Sequence, residues 1–250
     1  MRSNKDWVNA LVRDVANPNS EDPNFPAFRS FDWYHGHSFA KSLFASTDSK
    51  DEESSSEDVK FAYALKMWGQ TSDDASVEAR GNLMLAVSKR SLSSYFLMPS
   101  DNKIQPKIFI GNKVAGIVCI SIPLSRNHDP LIPLSQLYEN KVDYATYFVL
   151  EPEYIHGIYM LPILPITIYT RKSEFVEEEW NAVFADGGVR TLNNIYGEWR
   201  RTLLGNLATI DPKGVLEGLR RKGLFEEQDD THSITWLMAY TLGQLFLVQY

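Results

Sequence analysis

Five carboxylates and three serines crowd into the nine residues KDEESSSED, 50–58, and the run VKFAYALKMW that follows is almost wholly apolar. If a helix begins near Asp51, Glu53 and Glu57 lie one turn apart on one face. The stripe continues through Phe61, Ala64 and Trp68, and past Asp58 only Lys60 and Lys66 break an apolar surface, so the expected element is enclosed and its carboxylates point inward. Carboxylates at a helix N-terminus feel the positive end of the dipole, which favours the charged form. Such a pair suits a general base and a water-orienting partner better than a proton donor.

The residues leave other readings open. Ser54 with Glu57 has the spacing of a capping box, and first-turn acids are favoured at any helix start. The serine run could carry phosphate. A calcium loop fits poorly, because its sixth-position glycine is absent. Were the face a hydrolytic site for sugars with inversion, an acid and a base about 6.5–9.5 Å apart would have to flank the bond. Two groups on one helix face cannot do so, and the acid must come from elsewhere.

A second cluster is FDWYHGHSFA, 31–40. Phe31, Trp33, Tyr34 and Phe39 offer flat apolar faces, while Asp32, His35 and His37 offer hydrogen-bonding groups, a mixture that suits sugar rings. The alternative is a helix start with ordinary aromatic packing. Zinc fits poorly, since His-x-His lacks further spaced ligands and no HExxH occurs. In EYIHGIYMLP, 153–162, His156 sits among apolar residues and reads as a satisfied core histidine. Phosphate loops and GxSxG elbows are absent.

Helical periodicity positions these clusters, with helices expected at about 4–16, 36–46, 53–69, 74–98, 173–184, 192–209, 212–221 and 232–248. The run KIFIGNKVAGIVCISIP, 107–123, has the composition of a short β-hairpin turning at Gly111 and Asn112. Loops are expected at 17–26, 125–133 and 185–188, none long enough to separate domains. The prediction is therefore a mainly α chain in which 1–250 form one domain, with a hairpin decoration.

Apolar residues make up 44% of the 250 and aromatics 12%, enough for a sizeable core. A net charge of −7, with basic residues scattered, makes nucleic acid and anionic membrane poor partners. The run 155–169 is too short to span a bilayer and carries Pro162 and Pro165. One cysteine, Cys119, and a start that reads as an amphipathic helix favour a reducing compartment slightly, with export left open for a longer protein.

The stretches WVNALVRDVANP, FPAFRSFDWYHGHSFA, KDEESSSEDV with AYALKMWG, and EYIHGIYMLPILP together resemble, in order, the glycoside hydrolase family 81 endo-β-1,3-glucanases. FVEEEW, NLATIDP and TWLMAYTLG extend the likeness more loosely. The resemblance implies an (α/α)6 toroid that hydrolyses internal β-1,3-glucosidic bonds with inversion and needs no cofactor or metal. It makes Glu57 the general base, with Glu53 positioning the water or sharing that role, and Asp32 a substrate-contacting or supporting carboxylate beside Trp33, Tyr34, His35 and His37. The expected partner is a laminarin-like β-1,3-glucan.

One departure matters. The family's proton donor is an aspartate in an upstream motif of the type DHHFHYGY, which this chain lacks. Some eight helices are also too few for a twelve-helix toroid. The expectation is the C-terminal part of a longer enzyme, with a non-catalytic glucan-binding or interaction fragment as the alternative. Phe39 for tryptophan and Glu52 for glutamine are conservative departures.

Overall fold

The computed structural model describes residues 2–38, 54–115, 152–185, 199–220 and 232–247. The chain packs as two compact units, Met1–Leu92 and Ser93–Tyr250. Both are mainly helical. Among the described residues no helix is long and apolar enough to cross a membrane.

In the first unit, α1 (Arg2–Ala16) leads through an asparagine-organised loop into a two-stranded antiparallel hairpin, β1 (Phe31–Asp32) and β2 (His37–Ser38). Asn17 ties the loop by donating to the carbonyls of Asn19 and Phe25 at 3.0 and 2.8 Å. Two long helices follow, α2 (Ser55–Ser72) and α3 (Ala75–Ser91). Asp73 ends α2 with φ 57°, and the Asp74 side chain starts α3 by accepting the amides of Ser76 and Val77.

Glycine sets how closely these two helices approach. A Cβ on Gly69 would stand 2.3 Å from the Glu78 nitrogen, and one on Gly81 2.4 Å from the Lys66 nitrogen. Around these contacts Val59, Ala62 and Leu65 of α2 and Val77, Met84 and Leu85 of α3 are buried. The α1 helix is fastened to the pair by polar bonds: Trp68 Nε1 donates to Asn9 Oδ1 at 2.9 Å and Arg80 donates to the Ala16 carbonyl at 2.8 Å.

A π-helical turn, Leu92–Phe96, follows α3 directly, and the first helix of the second unit is the short α4 (Lys107–Ile110). Then come α5 (Pro152–Gly157), α6 (Thr167–Thr170) and α7 (Ser173–Glu179), which runs into a second π-turn at Trp180–Phe184. The last helices are α8 (Arg200–Leu207), α9 (Pro212–Leu219) and α10 (Ile234–Leu247). Met160, Ile163, Trp180, Leu203, Leu207, Val215 and Leu237 belong to one continuous core that these elements enclose.

Three expectations about elements need correction. The helix anticipated over 36–46 is turn and strand through Ser38, its remainder lying outside the described residues, because Asp32 takes the following amides and Gly36 adopts φ 79°. A hairpin is present at 31–38; of the one expected over 107–123 only residues 107–115 are described, and its first strand is not formed. There Lys107–Ile110 is helical, started by Pro106 whose carbonyl accepts the Phe109 amide at 2.9 Å, while Val114 pairs with Leu97 and residues 116–123 lie outside the described set. The short helices α5 and α6 were not anticipated, being too brief to show a period.

Candidate active site

Asp32 organises the hairpin. Its Oδ1 accepts the amides of Tyr34 at 2.7 Å and His35 at 3.3 Å, and its Oδ2 lies 2.7 Å from His35 Nδ1. Its carbonyl accepts the Gly36 amide at 2.7 Å. The His35 bond, joined by the two amides, outweighs burial and holds the Asp32 carboxyl below the usual carboxylate range.

The five residues of this segment do not share one environment. Tyr34 is 90% exposed and His35 is exposed beside it, their rings 5.0 Å apart edge to face. Trp33 is half-buried, meeting Phe28 and Phe31 edge-on at 4.9 Å each. His37 is buried with Nδ1 2.7 Å from the Ser38 carbonyl oxygen. A Cβ on Gly36 would come 2.9 Å from Val87 Cγ1 of α3, so the loop lies directly on that helix.

The acidic stretch joins the hairpin through Asp58, which the sequence reading passed over. The Ser38 amide donates to Asp58 Oδ2 at 2.6 Å, bringing the first turn of α2 against β2. Glu57 stands in that turn with its side chain exposed. Glu53 lies outside the described residues. The expected capping box is not formed: Ser54 makes no side-chain bond to the helix amides, and its Oγ meets Ser56 Oγ at 2.5 Å.

Enclosure of α2 on nearly all sides is also not observed. Its buried stripe runs Ser55, Val59, Ala62, Leu65 and Gly69, while Glu57 and Ala64 are exposed and Phe61 and Trp68 half-buried. The periodicity was real but its packed face is the neighbouring one, because Gly69 and Ala62 allow α3 to approach there. Lys60, one turn past Glu57, is half-buried; desolvation pulls its ammonium down to about 8 although the Glu57 charge opposes this.

In the second unit His156 is buried and its Nδ1 lies 2.8 Å from Glu179 Oε1, as a satisfied core histidine should. Its partner is Glu179 of α7, not the nearby Glu153. Arg171 also donates to Glu179 Oε2, and Asn206 donates to the same oxygen at 3.1 Å. Burial alone would push the Glu179 carboxyl up, but the Arg171 charge and the His156 bond hold it at about 2. No sequence signal pointed to this network, since its members come from four separate elements. Among the described residues no three His, Cys, Asp or Glu side chains gather as a metal site.

Residues 1–238 match the family model described as Glycosyl hydrolase family 81 C-terminal domain. A Glucan endo-1,3-beta-D-glucosidase of Arthroderma benhamiae is 49% identical over 97% of this chain and 25% of its own length. Glucan endo-1,3-beta-D-glucosidase 2 of Saccharomyces cerevisiae is 39% identical over 96% of this chain and 28% of its own. The Primary septum glucan endo-1,3-beta-D-glucosidase of Schizosaccharomyces pombe is 40% identical over 96% and 22%. The chain thus spans about a quarter of the length of these relatives. A solved glycoside hydrolase family 81 structure from Clostridium thermocellum aligns with TM-score 0.68 at 17% identity, over 94% of this chain and 29% of that one. That likeness is one of fold: mainly α, of the helical-toroid type.

Proposed function

We propose, from the premise that this chain belongs to glycosyl hydrolase family 81 through its C-terminal domain, that it forms the base-carrying part of an endo-β-1,3-glucanase. Both units belong to one catalytic region in this reading, and its substrate is a laminarin-like β-1,3-glucan. The net charge of −7 argues against nucleic acid and anionic membrane as partners. The observation that carries the proposal is the Ser38–Asp58 bond, which sets the turn bearing Glu57 beside the aromatic hairpin.

In the proposed reaction Glu57 takes a proton from a water molecule as that water attacks the anomeric carbon from the face opposite the leaving group. Its exposed position suits this, because a base must be reached by water and substrate. Glu53, four residues earlier, positions the water or shares the task. The segment Asp32, Trp33, Tyr34, His35 and His37 forms the glucan-binding side. The configuration inverts, and the glycosidic oxygen leaves with a proton from an acid outside these 250 residues, since no DHHFHYGY-like run occurs among them.

A β-1,3-oligoglucosyl fluoride in the β configuration tests the base alone. Fluoride departs with little acid assistance, so the 250-residue chain should release fluoride from it while barely hydrolysing laminarin. Glu57→Gln should abolish the release. Robust laminarin hydrolysis by the bare chain would overturn the assignment of the acid. Turnover of neither substrate would favour a second reading, a non-catalytic glucan-binding region, which gains weight from the chain's coverage of only about a quarter of its relatives.

A further inference from the structure

The hairpin loop is built more rigidly than a surface loop of four residues, 33–36, requires. Asp32 accepts two amides and holds the His35 ring by Nδ1, its carbonyl takes the Gly36 amide, and Gly36 seats the loop on α3 at a distance that leaves no room for a Cβ. Trp33 is wedged between Phe28 and Phe31, and His37 is buried and bonded to the Ser38 carbonyl. Against this scaffold Tyr34 projects with 90% of its surface exposed, and the His35 ring stands edge to face with it. An aromatic ring of that size is ordinarily withdrawn from water, and ordering it there forgoes the burial of its face.

Resting on the glucanase reading above, we propose that Tyr34 and His35 are the two residues of this segment that touch the glucan, and that Asp32 is a positioning residue acting through His35. Tyr34 offers the flat face on which a glucose ring stacks, and His35 offers an imidazole whose orientation Asp32 fixes. Trp33 and His37 hold the loop from behind. Both oxygens of Asp32 are engaged within the loop, so its carboxylate serves there as an acceptor for its own neighbours. A glucan hydroxyl would meet the ring it holds.

Binding of a β-1,3-glucan hexaose to the 250-residue chain, by calorimetry, distinguishes these roles through a double-mutant cycle. Tyr34→Ala and His35→Gln, both at exposed positions, should each weaken binding by roughly tenfold, about the worth of one stacked or hydrogen-bonded group. Asp32→Asn should weaken it as well, and the Asp32→Asn/His35→Gln double variant should bind no worse than His35→Gln alone. Additive losses would show that Asp32 meets the glucan itself and overturn the proposal. Hexaose binding by the wild-type chain that is unchanged in Tyr34→Ala and His35→Gln would overturn it while leaving the glucanase reading intact. Absence of binding by the wild-type chain would overturn that reading and the contact roles together.

A glucan-free measurement guards against variants that fail to fold. In a carboxyl-labelled NMR titration, His35→Gln should move the Asp32 carboxyl upward towards the usual range, because its largest stabilising bond is gone. An unmoved Asp32 titration would sink the positioning role.

Discussion

The Ser38 amide donates to the Asp58 carboxylate at 2.6 Å, tying β2 to the first turn of α2 across twenty residues of sequence. A charged acceptor makes this one of the stronger kinds of hydrogen bond. Asp58→Ala should cost about 1.5–3 kcal/mol. Hydrogen exchange at the Ser38 amide should accelerate accordingly, and exchange as slow as in the wild type would show that the bond does not hold the hairpin.

Glu57 carries no such structural duty. Its side chain is exposed, so Glu57→Gln should leave the thermal unfolding of the chain nearly unchanged. If Glu57 is the base proposed above, the same substitution in a family 81 enzyme that carries this region together with its acid should lower laminarin hydrolysis by about 10²–10⁴-fold, the usual contribution of a general base. Near-normal hydrolysis would remove Glu57 from that role.

The buried network of the second unit predicts a dependence on acid. The Glu179 carboxyl sits at about 2, below its ordinary 4.5, so its stabilisation is complete above pH 4.5 and is lost as the pH falls towards 2. Glu179→Gln would leave the Arg171 guanidinium, only 2% exposed, without its counter-charge. That should cost about 3–5 kcal/mol and flatten the acid limb of stability in urea titrations. A variant as stable as the parent at neutral pH would refute the coupling.

Close packing of α2 on α3 rests on two glycines. Gly69→Ala and Gly81→Ala would each drive a methyl against backbone atoms of the other helix, which cannot move aside as a side chain can. Each should destabilise the first unit by about 1–3 kcal/mol, read from the urea midpoint. Gly111→Ala, whose Cβ would meet nothing within 4 Å, is the control and should be close to neutral.

Helix type was legible wherever a period ran long enough. The amphipathic repeat of α1 and the extended runs of α2, α3 and α10 are local patterns, and local backbone preference with one apolar face suffices to write them into the chain. The aromatic and histidine composition of 31–38 and the pairing of acids in 50–58 were visible in the same way, as was His156 in an apolar setting. At 31–38, however, the Asp32 side chain takes the Tyr34 and His35 amides and Gly36 turns the chain with φ 79°, so a hairpin forms where a helix start was one of the readings, which no periodicity reports.

A mainly helical chain, its family and the residue types from which a sugar site could be assembled were all readable along the chain, because these depend on residue identity and spacing along one element. Tertiary structure settled which face of α2 is packed, that Asp58 holds the hairpin, that Tyr34 and His35 are exposed while Trp33 is half-buried and His37 buried, and that Glu179 answers His156 and Arg171. The physical reason is common to all four. Each depends on contacts set by steric fit, as where Gly36 seats the loop on Val87 of α3, and a glycine or a single carboxylate can redirect that fit without leaving a mark in the local pattern.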